Sequence, residues 1–520
     1  MRPANARATL LLSLTFALAC GGRGAAYDRP FDAEGPYGAS GSVVALNASD
    51  QTLVIVPPGQ APVAISLPAS PRNLTLTPDG TVALVATGDA TNPGLTLVGV
   101  TGSALGTRAD VALPTGPDVI HVSPDGRFAL LTSSAEASTS SVGILNPNEI
   151  VVVDLSSHAA QSVALGTDSP APTSVAFAVP GEGGTQLAAV LFDKGLAVLD
   201  LGSVTASGAG SGDGGQANVL TVPVRVNGGP DVSPLKALFS AFVSGAGYLY
   251  VLAAQSDDVI AVSITTGSGS LTGAINFLSG GQGLTDIALP LGEPPPSSVQ
   301  ALYGDEAVQL DASGVAQNQV SAALTSGATH LMPAGSGLTL VAGDNQSTVT
   351  AWDPSAGAVT ALTLDGPASI IAPAPNGNIA IAAVAGSDGS ELVVIDIGRD
   401  SLGPHLSATP LLLAGSLSAF AFDAPGQYVY FVESGQSLLA RLNLETLAHV
   451  QATLDSAPQS IGLVAGSSGA VFASEAETYG KLITFPTSAF DDATSSVNPA
   501  LGKAYPDFLL SAEVDHVDGN

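Results

Sequence analysis

Cys20 is the only cysteine in the 520-residue sequence, so it cannot form an intrachain disulfide or a paired-cysteine zinc or redox site. Nucleophilic chemistry is what remains for a lone thiol. Its setting, Ala17-Leu18-Ala19-Cys20-Gly21, puts small residues on both sides, as suits cleavage just before the thiol. Carboxylates are far more numerous: 44 Asp and Glu stand against 14 Lys and Arg, a formal charge of −30. That surplus can attract cations or a basic partner. It excludes electrostatic docking on nucleic acid, which needs a basic face to displace counterions. Of the six histidines, His158, His405, His449 and His516 share no metal-ligand spacing, and HExxH is absent. Neither a G-x-S-x-G elbow nor a GxxxxGK[ST] phosphate loop occurs, and no cofactor motif is present.

The residues around Cys20 read as an export signal. Arg2 and Arg7 form a basic start, and residues 8–19 are an uncharged, largely apolar stretch. That stretch is well short of the roughly twenty residues a membrane span needs. Ala17-Leu18-Ala19-Cys20 resembles the lipobox of bacterial lipoproteins, with Ala17 where that motif usually has Leu. The resemblance implies a signal peptide over residues 1–19 and lipidation at Cys20. It also implies a membrane partner through the lipid anchor and a place in the bacterial cell envelope, at the outer membrane or cell surface. The alternative is an ordinary secretory signal with an incidental cysteine. Residues 20–41, rich in Gly, Pro and Ala, read as a flexible tether.

The elements that must position the remaining groups come from a repeat. An apolar strand, a tight turn, a second apolar strand, a polar loop and a third strand recur at intervals of about 48 residues. The clearest copies are LTLTPDGTVALVATGD, VIHVSPDGRFALLTSS and IIAPAPNGNIAIAAVAGSDGSELVVID. Short Val/Leu/Ala runs bounded by Pro-Asp-Gly read as β, since Pro presets φ, Asp bonds its own backbone and Gly accepts positive φ. Nine copies are found, with a partial one over residues 42–67 that shows no first strand. The expected fold is all-β, a β-propeller of four-stranded blades over residues 42–512 with a tail at 513–520. One ring of eight to ten blades is expected; the alternatives are seven blades with insertions, or two rings divided near residues 267–283. Ring closure is expected to pair strands from both chain ends, with FLLSAEV supplying the C-terminal one. The copies resemble the YVTN-type (WD-repeat-like) propeller repeats of bacterial surface proteins.

The repeat sorts the polar residues into places. Asp79 and Asp125 of Pro-Asp-Gly, and Asp154, Asp200, Asp353 and Asp396 at the ends of third strands, are expected to shape turns. The loops between second and third strands carry Asp89, Glu136, Asp193, Asp257, Asp258, Asp305, Glu306, Asp344, Asp388, Glu391, Glu433, Glu475 and Glu477. They read as a solvated rim or as a ring of carboxylates for a cation or basic partner. Calcium is the candidate ion, because it accepts irregular oxygen cages. At the starts of first strands stand Arg72, Asn73, Asp118, Thr173, Lys236, Asp286, Thr329 and Gln459, expected at the mouth of the central channel. His121 and His330 hold equivalent positions in two repeats. They are expected either to pack between blades or to face the channel.

Two function classes follow. One is a lipid-anchored binding or scaffold module for a protein, glycan or cation. The other, by analogy with lactonase propellers, is a hydrolase using Arg72, Asp118, His121 and Asp286.

Overall fold

The computed structural model describes residues 32–89, 91–133, 149–165, 172–179, 186–206, 219–267, 270–291, 298–312, 320–325, 327–387, 389–466, 469–475, 480–491 and 493–509. Cys20 and the signal stretch lie outside the described residues, as do Glu136, Asp388, Glu477 and residues 510–520.

The apolar runs form strands buried on both faces. Thr52–Val56 and Leu187–Phe192 are buried at every position, which explains why their sequences run apolar instead of alternating. Outer strands do alternate: Arg108–Ala112 exposes Arg108 and Asp110 and buries Val111. Four successive strands pair antiparallel in sequence order, giving ten four-stranded sheets among the described residues. These blades 1–10 span residues 33–66, 72–112, 119–164, 174–223, 234–279, 284–323, 330–363, 368–412, 417–453 and 458–505.

First strands of neighbouring blades touch, as Arg72–Leu76 does with Val119–Val122 and Leu417–Phe422 with Pro458–Val464, so the first strands line the axis. Ten apolar cores among the described residues each join two successive blades. Between blades 2 and 3, Leu84, Ala86 and Leu95 meet Ile120, Ala129 and Leu131. The core between blades 10 and 1 closes the ring, with Phe472, Leu482 and Tyr505 packed on Val43, Val54 and Val56. Burying one such side chain contributes about 1.5–3 kcal/mol. A blade has two faces to cover, so it needs a neighbour on each side. The expected β-propeller is observed as one ring of ten blades; it is neither seven blades with insertions nor two rings.

Closure differs from expectation. The first sheet has its own first strand, Ala33–Gly38, inside the stretch read as a tether, and its fourth strand is Val63–Ser66. Blade 10 takes its fourth strand from Lys503–Tyr505. Among the described residues no strand is exchanged between the ends; of FLLSAEV, Phe508 and Leu509 are buried in the closing core and residues 510–514 lie outside the described ones. The physical reason is close approach. A Cβ on Gly38 would stand 1.9 Å from the Leu463 carbonyl oxygen of blade 10. The glycine content that suggests a tether is what lets the two ends of the ring meet. A parallel bridge between Ser40 and Ala465 completes the seam.

The turns between first and second strands interlock on one face. Asp79 Oδ1 accepts from Thr77 Oγ1 at 2.6 Å and from the Thr81 amide at 3.1 Å, and Gly80 takes φ of 67°. Neighbouring turns are then tied by Ser40 N donating to Gly80 O at 2.8 Å, Gly335 N to Gly377 O at 2.7 Å, and Asn376 Nδ2 to Gly426 O at 2.8 Å. Asp79 and Asp125 are turn formers, as expected. Asp154 and Asp353 likewise accept from the serine amides that follow them.

Candidate functional site

The residues expected at the channel mouth lie at the starts of the first strands, where six blades share a feature the sequence does not announce. Pairing slips by one residue, leaving Asn73, Leu235, Thr285, Ser369, Ser418 and Gln459 unmatched. A bulge of this kind re-aims every side chain beyond it. In blades 5 and 6 it brings Lys236 and Asp286 together across the interface.

Asp286 is 8% exposed. Its Oδ1 accepts from Lys236 Nζ of blade 5 at 2.8 Å, and its Oδ2 accepts from the Leu331 amide of blade 7 at 2.8 Å. Lys236 Nζ also donates to Ile287 O at 2.7 Å. One carboxylate therefore joins three blades. Glu34, in the former tether stretch, does the same between two blades: its Oε2 accepts from the Leu74 amide of blade 2 at 2.8 Å. Asn73 Nδ2 donates to Asp118 O of blade 3. Arg72 stays within blade 2, donating to Gly88 O at 2.8 Å and so holding the loop after the second strand. Thr173 Oγ1 donates to Leu191 O at 3.2 Å, and Thr329 Oγ1 accepts from the Asp344 amide at 3.3 Å.

The structure thus brings together Lys236 with Asp286, and Asn73 with Asp118. Of the four hydrolase candidates, Arg72 is in blade 2, Asp118 and His121 are at the start of blade 3, and Asp286 is in blade 6. His121 Nε2 lies 3.3 Å from Thr132 Oγ1 of its own blade, and burial lowers its pKa. His330 Nε2 is 3.0 Å from Asp344 Oδ1, also within one blade. The two histidines do not meet.

Most of the described rim carboxylates bind the protein's own amides or side chains. Asp257 Oδ1 accepts from Gly283 N of the segment leading to blade 6 at 2.7 Å. Glu433 Oε2 accepts from Ala414 N and Gly415 N at 2.7 and 2.9 Å. Asp193 accepts from Ser233 Oγ. Hydrogen bonds from Thr91 and the Asn92 amide hold the Asp89 carboxyl below the usual aspartate range. Glu475, whose side chain is fully buried, accepts from Ser456 N at 3.1 Å and pairs with Lys481 Nζ at 2.9 Å. Lys481 also meets Asp455 at 2.6 Å, and these two acids raise its pKa. Among the described residues, no group of three or more His, Cys, Asp and Glu is placed to hold a metal ion.

Sequence reasoning also missed the cation stitches that run from third strands to the neighbouring blade. Arg399 of blade 8 pairs with Asp353 of blade 7. Arg441 of blade 9 pairs with Asp491, which follows the third strand of blade 10, and lies over the Tyr428 ring at 4.3 Å. Nothing in a linear pattern marks these partners, which are 46 and 50 residues apart.

One cavity opens at the seam. It has a volume of about 280 Å³ and is bordered by Glu34, Pro36, Gln459, Ser474, Glu475 and Phe508 among others. At the other nine junctions a linker runs from one blade's fourth strand to the next blade's first. Between blades 10 and 1 no such linker exists, and the cavity lies there. None of the four hydrolase candidates borders it.

Ten radially packed four-stranded sheets define a β-propeller, a class that hosts many unrelated activities. No family model and no curated protein matches the chain. Among solved structures, a eukaryotic initiation factor is 12% identical, with 74% of this chain and 88% of that one covered and a TM-score of 0.43. The WD40 domain of SCAP from fission yeast is 10% identical, covering 77% and 92%, with a TM-score of 0.40. The dihydro-heme d1 dehydrogenase NirN, in complex with DHE, is 13% identical, covering 81% and 74%, with a TM-score of 0.40.

Proposed function

We propose that this protein is an exported bacterial lipoprotein, anchored through acylated Cys20, whose YVTN-like propeller is a binding or scaffold module. The observation that carries the binding part is the use made of the inner polar residues. Lys236, Asp286, Asn73 and Glu34 tie blade to blade, so the ring is a rigid support and recognition falls to its loops. Cations are engaged the same way: Arg399, Arg441 and Lys481 each pair with acids of the chain. With −30 net charge, the outer field is negative, and a cationic partner fits it, either a protein with a basic surface or a cationic glycan. The hydrolase reading needs Arg72, Asp118, His121 and Asp286 on one substrate, and it is not favoured by the engagement of Arg72 with the Gly88 carbonyl and of Asp286 with Lys236 and the Leu331 amide.

The anchor is tested by expressing the chain in a bacterium fed an alkyne-bearing fatty acid. Wild type takes the label and partitions into detergent; Cys20→Ala takes none and stays in the aqueous phase. Labelling that survives Cys20→Ala removes the anchor. The module is tested with a photo-crosslinking residue at exposed Asp305 in living cells. A discrete cross-linked partner, lost as salt rises, supports it; the absence of any cross-linked species counts against it.

A further inference from the structure

An asparagine followed by a glycine can cyclise. The glycine amide nitrogen attacks the asparagine Cγ, ammonia leaves, and water opens the resulting cyclic imide to aspartate or to its β-linked isomer. The reaction needs a nitrogen able to shed its proton and a side chain able to swing onto it. The chain has two such pairs, Asn227-Gly228 and Asn376-Gly377, and the fold places them in opposite circumstances.

Asn376 lies in the turn between the first and second strands of blade 8, and both ends of its side-chain amide are held. Its Nδ2 donates to Gly426 O of blade 9 at 2.8 Å, and its Oδ1 accepts from the Asn378 amide at 3.0 Å. Gly377 N donates to Ala374 O at 2.8 Å. Gly377 is also buried, with Gly335 N of the blade 7 turn 2.5 Å from where a Cβ would stand. Attack there would break three hydrogen bonds in a turn wedged between its neighbours.

Asn227 stands at the tip of the loop from blade 4 to blade 5. The base of that loop is fixed. Val224 and Val232 are buried in the core joining the two blades, Val232 N donates to Val224 O at 2.9 Å, and Arg225 pairs with Asp231 at 2.6 Å. The tip is closed by Gly229 N donating to Val226 O at 2.8 Å. Asn227 and Gly228 themselves are exposed, and among the described residues neither the Asn227 side chain nor Gly228 N makes a hydrogen bond. Gly228 takes φ of 69°, where glycine is favoured, and a Cβ on it would meet nothing within 4 Å. Its nitrogen is therefore open to approach.

We infer that Asn227 is a site of spontaneous covalent modification, converting to aspartate and β-linked aspartate through attack by Gly228 N, while the blade 8 turn protects Asn376. A bond forms between Gly228 N and Asn227 Cγ as the bond from Cγ to the side-chain nitrogen breaks. That nitrogen departs as ammonia with the proton from Gly228 N. Water then gives a hydroxyl to one imide carbonyl and a proton to the ring nitrogen. Each conversion adds one negative charge to the exposed tip, two residues from Arg225, and the anchored base confines the change to the loop.

The test holds the full chain at about pH 8.5 and about 37 °C for several weeks, folded in buffer or unfolded in guanidinium, followed by peptide mass analysis. In the folded chain the peptide carrying residue 227 is expected to yield two isomeric products, each heavier by the mass of water less that of ammonia. The Asn376 peptide should convert about ten-fold more slowly or less, because it reacts only from an opened turn. In guanidinium the two rates should come within about three-fold of each other, since the folded contacts are gone. Asn227→Gln should lose the products and keep the unfolding temperature to within about 1 °C. An Asn227 that stays intact in the folded chain overturns the inference, whether or not the unfolded chain converts. So does an Asn376 that converts in the folded chain as fast as Asn227.

Discussion

Lys236 and Asp286 meet at 2.8 Å across the junction of blades 5 and 6, and the same carboxylate accepts the Leu331 amide of blade 7. The two partners are unequal. Asp286 is buried with three donors on it, counting its neighbour's Ile287 amide, whereas Lys236 is partly exposed and also reaches a carbonyl.

Asp286→Ala therefore strands the Leu331 amide and the ammonium together, for a loss of about 2–3 kcal/mol. Lys236→Ala leaves the carboxylate with two backbone donors and costs less, about 1 kcal/mol. Thermal unfolding of both variants checks the order. Equal losses, or a larger one for Lys236→Ala, would mean that Asp286 does not bridge the three blades.

Acid sensitivity has two windows. Burial lowers the pKa of His121, and burial also lowers that of His449 against the opposing field of Glu433. A histidine whose native pKa is depressed contributes stability that is complete above its unfolded value of 6.5 and is lost as pH falls through the native value. Depressed carboxyls follow the same sign lower down: the Arg108 hydrogen bond, aided by Thr96, holds Asp110 below the free value of 3.8, despite its desolvation. The unfolding temperature should first decline just below pH 6.5 and again below pH 3.8. His121→Gln/His449→Gln should flatten the first decline and leave the second. An unaltered first decline in that variant would assign it to other groups.

How much of this was readable from the chain depends on whether the determining contact is local. Pro78-Asp79-Gly80 announces its turn because Asp79 bonds within four residues, and the all-apolar second and third strands announce burial on both faces. Ala33–Gly38 stayed hidden because Gly35, Pro36 and Gly38 are the residues of a loop by local rules, and only contact with Leu463, more than four hundred residues away, explains them. The bulges at Asn73 and Thr285 leave no trace in composition either. Residues proposed to converge on a ligand instead bind neighbouring blades once the register shifts.

Of the rim carboxylates, Asp257, Glu433 and Glu475 already accept from Gly283 N, Ala414 N, Gly415 N and Ser456 N, donors a cation bound there would have to displace. Calcium should then leave the fold indifferent: unfolding temperatures in chelator and in about 1 mM calcium should agree to within about 1 °C, since a ligand stabilises only by binding the native state. A rise of several degrees with calcium would place a site on the rim after all and make the ion the ligand of the module.

The seam carries the sharpest stability test. At Gly38 an added Cβ would stand 1.9 Å from the Leu463 carbonyl oxygen and 2.8 Å from its carbon, both backbone atoms with no side-chain freedom to yield. Gly38→Ala must push blade 1 from blade 10, separating Val43, Val54 and Val56 from Phe472, Leu482 and Tyr505. Loss of even part of that core costs more than about 3 kcal/mol. Gly116→Ala is the control, because there the new atom meets nothing nearer than 3.5 Å, and its effect should stay within about 0.5 kcal/mol. The difference should appear as faster hydrogen exchange confined to residues 33–47 and 458–486, ahead of the other blades. If Gly38→Ala melts and exchanges like Gly116→Ala, the ends do not meet as described and the ring is held shut elsewhere.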